Sequence, residues 1–115
     1  MWSPAELADR LGGDADLARE LVDIFLVEYP VLVQAIRTAV DHGDAPAIRR
    51  AAHALRGAIT NFIDDGPTET ALAIERAGES SRLEDVPALV RQLEGEIHSL
   101  AGAMQGARDA GPCAS

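Results

Sequence analysis

The chain has 115 residues, 47% of them hydrophobic but only 3% aromatic, so it has the length for one folded core filled mainly by Ala, Leu, Ile and Val, a mixture that favours packed helices over sheets. A formal charge of −9 and a pI near 4.6 argue against a nucleic-acid partner, because binding a phosphate backbone draws on clustered Lys and Arg. No apolar run approaches the roughly 18 residues of a membrane span, the N-terminus is not a basic segment followed by an apolar one, and the lone Cys113 has no disulfide partner, so a soluble, unprocessed, cytoplasmic chain is expected.

Ser3, Pro4 and Glu6 have the spacing of a capping box with proline in the first helical position, which predicts a short helix over residues 4–11, stopped by Gly12 and Gly13. After Asp14, a residue suited to an N-cap, Leu17, Leu21, Ile24, Phe25, Leu32, Ile36 and Ala39 hold one helical phase past Pro30. Two independent helices have no reason to share a phase. One helix over about 15–42 is therefore predicted, bent at Pro30 where a backbone donor is missing, and ended by Gly43.

Asp44 caps the next helix, with Pro46 in its first turn and Ile48, Ala51, Ala52, Leu55, Ile59 and Phe62 as its buried stripe, to about residue 62. Asp64, Asp65 and Gly66 form a turn, and Pro67 opens a helix with Ala71, Ile74 and Ala77 inside, loosening from Gly78 to Arg82. Val86, Leu89, Val90, Leu93, Ile97, Leu100 and Met104 mark the last helix, over about 85–107. Four amphipathic helices with short connections and no strand pattern predict an all-α fold, an antiparallel up-and-down four-helix bundle with the short N-terminal helix across one end. Residues 1–108 then make one domain and 109–115 a flexible tail.

On the helix over 45–62, a 100° advance per residue puts His53 about 140° from the core stripe, facing water. An exposed histidine with no task is common, and the neighbours are what distinguish this one. Arg49, Arg56, Gly57 and Thr60 lie at i−4, i+3, i+4 and i+7, on its face. Arg49, Arg50 and Arg56 gather three of the ten basic residues of an acidic chain beside it. A phosphoryl group carried on His53 needs such compensation, and a guanidinium one turn away supplies charge-assisted hydrogen bonds. Gly57 costs about 1 kcal/mol against alanine inside a helix. It stands nearly opposite the core, so helix packing within the chain does not account for it, whereas room for a phosphoryl group or a partner's backbone does.

A neutral imidazole is a good nucleophile near neutral pH and takes a phosphoryl group without a dedicated base. No Ser/His/Asp arrangement or Gly-rich phosphate loop accompanies it, so the catalytic machinery is expected on a partner. Counting about 11 residues either side of the turn near Asp64 brings Glu75 level with His53, at 1.5 Å per residue. Glu75 is then either the group that holds the other ring nitrogen or an ordinary surface carboxylate. His42 reads as a favourable charge at a helix C-terminus, and His98 has no second ligand at metal spacing. No metal or other cofactor is expected.

The run Ala52-His53-Ala54-Leu55-Arg56-Gly57, followed by Asn61 and Phe62, resembles the histidine-containing phosphotransfer (HPt) family, whose motif reads Ala-His-x-Leu-Lys-Gly. Leu11-Gly12-Gly13-Asp14, the Phe25–Pro30 region, Gly43-Asp44 and Ile74-Glu75 are similar to the family's surrounding pattern, over about residues 7–102. The resemblance implies that His53 is the phosphoacceptor, that Arg56 replaces the usual lysine beside the phosphoryl group, and that Gly57 leaves it room. It implies response-regulator receiver domains as partners, whose phosphorylated aspartate and bound magnesium supply the chemistry, and a hybrid sensor kinase upstream; a monomer is expected. The family often has serine after the glycine and glycine six positions later, where this chain has Ala58 and Ile63. The competing readings are an HPt-like module that binds a receiver or kinase without transfer, and a helical adaptor unrelated to signalling.

Overall fold

The structure, a computed structural model, describes residues 4–110, with side chains as far as Ala107. Five helices follow in chain order: α1 Pro4–Arg10, α2 Ala15–Asp41, α3 Ala45–Ile59, α4 Pro67–Glu79 and α5 Val86–Ala110, with no strand among the described residues. Asp14 and Asp44 are the N-caps of α2 and α3, their carboxylates accepting from the backbone N–H of Leu17 at 2.9 Å and of Ala47 at 3.1 Å. Each satisfies a donor that the first turn leaves open, adding about 1 kcal/mol to its helix. Gly43, at φ +62°, makes the left-handed step that turns α2 into α3. Ser3, half of the expected capping box, lies outside the described residues, as does the expected tail from residue 111; residues 109–110 still belong to α5.

The four longer helices close a ring in which α3 packs on α2 and α4, and α5 on α4 and α2, while α1 lies against α2. Along α3 and α4 the partner numbers fall as the chain number rises, Gly78 lying against Ala45 and Arg49 and Glu75 reaching His53 and Arg56, so these two helices are antiparallel. The body measures 50 × 22 × 20 Å. Its core holds Phe25 and Ile36 from α2, Ile48, Leu55 and Ile59 from α3, Ile74 from α4, and Leu93, Ile97 and Met104 from α5, with Leu7 of α1 closing in.

Helix α2 runs unbroken through Pro30, and its buried side is rotated from the stripe the periodicity picked, sharing Phe25, Ile36 and Ala39 with it. Ala18, Val22 and Val33 are buried beside Phe25, Ile36 and Ala39, whereas Leu17 and Ile24 are exposed and Leu21 and Leu32 are half-buried. A helix with apolar residues on more than half its circumference offers two candidate stripes, and only the positions of α1, α3 and α5 decide between them. Helix α3 stops at Ile59 rather than Phe62; Thr60 caps it, and Phe62 turns inward to meet Phe25 at 5.1 Å between ring centroids. Helix α4 does not loosen at Gly78. That glycine is buried inside the helix, where an added Cβ would come within 2.9 Å of Ala45 O and Arg49 N.

Candidate functional site

Helix phase sets the site on the outer side of α3. Ile48, Ala52, Leu55 and Ile59 claim the core, which leaves His53 facing out with its side chain 62% exposed. The antiparallel α4 brings Glu75 level with it, and Glu75 Oε1 lies 2.8 Å from His53 Nδ1. A carboxylate can only accept, which favours the ring proton on Nδ1 and the lone pair on Nε2, the outer nitrogen. Arg56, one turn further along α3, donates from Nε to the other oxygen, Glu75 Oε2, at 2.8 Å. Its Nη2 rests 3.2 Å from His53 Nδ1, where it donates if Nδ1 carries the lone pair and meets a second donor if Nδ1 carries the proton. Burial alone would push the Glu75 carboxyl up, but hydrogen bonds and charge from Arg56 and His53 together outweigh it and hold Glu75 below its ordinary value.

Gly57 lies on the exposed side of α3, and a Cβ added there would meet nothing within 4 Å. The chain itself thus gives no packing reason for the glycine. Thr60, at the helix end, donates its hydroxyl to Gly57 O at 3.0 Å. Arg49 and Arg50 are exposed one turn before His53; Arg49 abuts the α4 glycine with its backbone, and Arg50 borders a groove between α2 and α3. Ala58 and Ile63, where the motif departs from its family, are half-buried and pack on the core instead of standing on the outer face.

A further feature escaped the sequence reading. Ile24, Val27 and Val31 of α2 are 51%, 75% and 70% exposed, and they continue into the groove that Val31 and Ala35 share with Ala47 and Ala51 of α3. The Phe25–Phe62 contact brings this part of α2 level with the C-terminal end of α3. The signal was present as apolar residues left over once one stripe is assigned to the core. His42 serves the end of α2, its Nδ1 donating to Thr38 O at 2.7 Å, and His98 stands apart beside a cleft with Arg37 and Glu94. No group of three or more His, Cys, Asp or Glu side chains among the described residues is arranged to hold a metal ion.

With this geometry in view, comparison with known families is decisive: the model described as the Hpt domain matches residues 20–103. The chain belongs to the Hpt domain family. This Hpt domain is thereby a histidine phosphotransfer module of phosphorelay signalling, a class of phosphocarriers that interact with receiver domains and kinases. Among solved structures, the histidine-containing phosphotransfer protein B (HptB) of Pseudomonas aeruginosa PAO1 superimposes with a TM-score of 0.86 over 94% of this chain and 94% of its own, at 23% identity. At that identity the likeness is one of fold. No curated protein matches this Hpt domain in sequence.

Proposed function

We propose that His53 is the phosphoacceptor, taking a phosphoryl group on Nε2 from the phosphoaspartate of one receiver domain and giving it to the aspartate of another. The observation that carries this reading is the imidazole anchored at Nδ1 by Glu75 at 2.8 Å with its other edge in solvent. In transfer the Nε2 lone pair forms the N–P bond as the aspartyl O–P bond breaks, and the freed carboxylate stays on the receiver. The imidazole then bears the positive charge, and its Nδ1–H donating to the Glu75 carboxylate stabilises the product. Arg56 and Arg49 offset the charge of the phosphoryl oxygens, Gly57 leaves them room, and Thr60 borders the same face. Activation of the aspartate belongs to the partner, so the module has no active site or cofactor of its own.

Receiver docking is supported by the exposed stripe of Ile24, Val27 and Val31, which leads at Val31 into the groove that Arg50 and Ala51 of α3 border. Apolar side chains beside a cationic rim suit a partner whose acidic pocket is ringed by apolar contacts. We read the module as a cytoplasmic monomer between a hybrid sensor kinase and a terminal regulator; no helix among the described residues is long and apolar enough to cross a membrane.

The test is to incubate the protein with radiolabelled phospho-receiver domains beside His53→Ala. Acid-labile, alkali-stable label on the wild type alone is expected. Label that persists in His53→Ala rejects the assignment, and receiver binding with no phosphohistidine selects the non-transferring module instead.

A further inference from the structure

The two oxygens of Glu75 have separate tasks: Oε1 faces His53 Nδ1 at 2.8 Å, and Oε2 accepts from Arg56 Nε at 2.8 Å. Glu75 is the most enclosed member of the three, with its side chain 13% exposed against 29% for Arg56 and 62% for His53. A carboxylate with one oxygen held by a guanidinium has lost the rotation about its last bond, so the other oxygen is kept aimed at the ring. Arg56 Nη2 lies 3.2 Å from the same His53 Nδ1, where its N–H competes with the ring proton, while Glu75 Oε1, closer at 2.8 Å and charged, favours that proton. Arginine provides both functions because its donors point in two fixed directions, whereas an ammonium is a single point of donation.

We propose that Arg56 is a positioning residue before it is a phosphoryl contact: through Glu75 it fixes His53 as the Nδ1–H tautomer, so that the lone pair is on Nε2 when the phosphoryl donor arrives. This rests on His53 being the acceptor, yet its first consequence concerns the unphosphorylated protein. Glutamine at position 75 would offer one acceptor and one donor where the carboxylate offers two acceptors. Two donors, Arg56 Nε–H and His53 Nδ1–H, would then compete for one carbonyl oxygen, and the charged one holds it more strongly. The amide NH₂ is left facing the ring, where it favours a lone pair on Nδ1 and the proton on Nε2, the unreactive arrangement. Removing Arg56 should therefore harm the site when Glu75 is present and repair it when glutamine is present.

The tautomer is read from two-bond ¹⁵N–¹H couplings of the His53 ring, with His53→Ala identifying its signals. Wild type is expected as Nδ1–H, Glu75→Gln shifted toward Nε2–H, Arg56→Ala shifted part of the way, and Arg56→Ala/Glu75→Gln returned toward Nδ1–H. A parallel assay uses phosphoramidate, whose P–N bond breaks as the His53 N–P bond forms and ammonia leaves. Labelling of Arg56→Ala is expected to slow about tenfold, the scale of loss when a partner that orients a reactive histidine through its other nitrogen is removed. Arg56→Gln serves as a second variant that keeps the bulk of the side chain should the alanine variant unfold. An unchanged tautomer in both Arg56 variants, or a double variant that stays Nε2–H, overturns the inference and leaves Arg56 with a phosphoryl role alone. Failure of wild type to take label from either phosphoramidate or a phospho-receiver instead overturns the assignment of His53 as acceptor, with the tautomer pattern still readable.

Discussion

Gly57 and Gly78 are both glycines inside helices, and their surroundings give them opposite meanings. At Gly57 an added Cβ meets nothing within 4 Å, so the residue weakens α3 with no return inside the chain. Gly57→Ala is expected to raise stability by about 0.5–1 kcal/mol in urea unfolding while slowing transfer from a phospho-receiver, and Gly57→Leu to slow it further. Equal transfer rates in all three proteins would remove the glycine from the docking face. Much of the site at this scale was legible in the sequence. His53 could be put in solvent because the apolar positions of α3 set its phase, and counting through a short turn brought Glu75 level with it while leaving open whether it holds the ring or faces water. The Arg56–Glu75 bond was not legible: i+3 spacing brings Arg56 to the face of His53, but a flexible side chain at that position can lean outward or toward α4, and only the distance between the two helices decides.

Between elements, Gly78 lets α4 approach the start of α3. A Cβ there would lie 2.9 Å from Ala45 O and 2.9 Å from Arg49 N, both backbone atoms that cannot yield without moving α3. Gly78→Ala gains about 1 kcal/mol of helix propensity and loses about 1–3 kcal/mol to overpacking, so a net fall in the urea midpoint is expected, opposite in sign to Gly57→Ala. A rise in the midpoint would mean that α3 and α4 do not approach this closely. Arg49 begins one turn before His53, so the same substitution also displaces the basic flank of the site. Sequence periodicity missed this contact because a buried glycine leaves no apolar mark, and Gly78 next to Glu79 and Ser80 reads as a helix end. The element boundaries elsewhere were close, since Asp14, Asp44, Gly43 and Pro67 carry stop and start signals with a local mechanism. The end of α3 was overrun for a different reason: Phe62 is buried, as its apolar character required, but from a turn instead of the helix.

For the whole molecule, the all-helical architecture was readable from four amphipathic segments, whereas the side of α2 that faces the core was readable only in part, at Phe25, Ile36 and Ala39. Choosing Leu17 and Ile24 for the interior hid the fact that this helix has apolar residues to spare, and one of the spare ones, Val31, borders the groove against α3. A large exposed apolar stripe marks a surface that something covers, and under the proposed function that cover is a receiver domain. Val27 and Val31 are 75% and 70% exposed, so replacing both with serine forfeits little burial in the free protein, and its unfolding free energy in urea should stay within about 0.5 kcal/mol of wild type. In the complex the same two side chains would be covered. Burying what remains exposed of each is worth on the order of 1 kcal/mol, so the double variant should bind a receiver that labels wild type at least about tenfold more weakly by calorimetric titration. Phosphoramidate is too small to need that contact, and its labelling of His53 should continue at the wild-type rate. An unchanged receiver affinity would detach the stripe from docking, whereas a loss of labelling by both donors would mean that the substitutions had disturbed α3 itself.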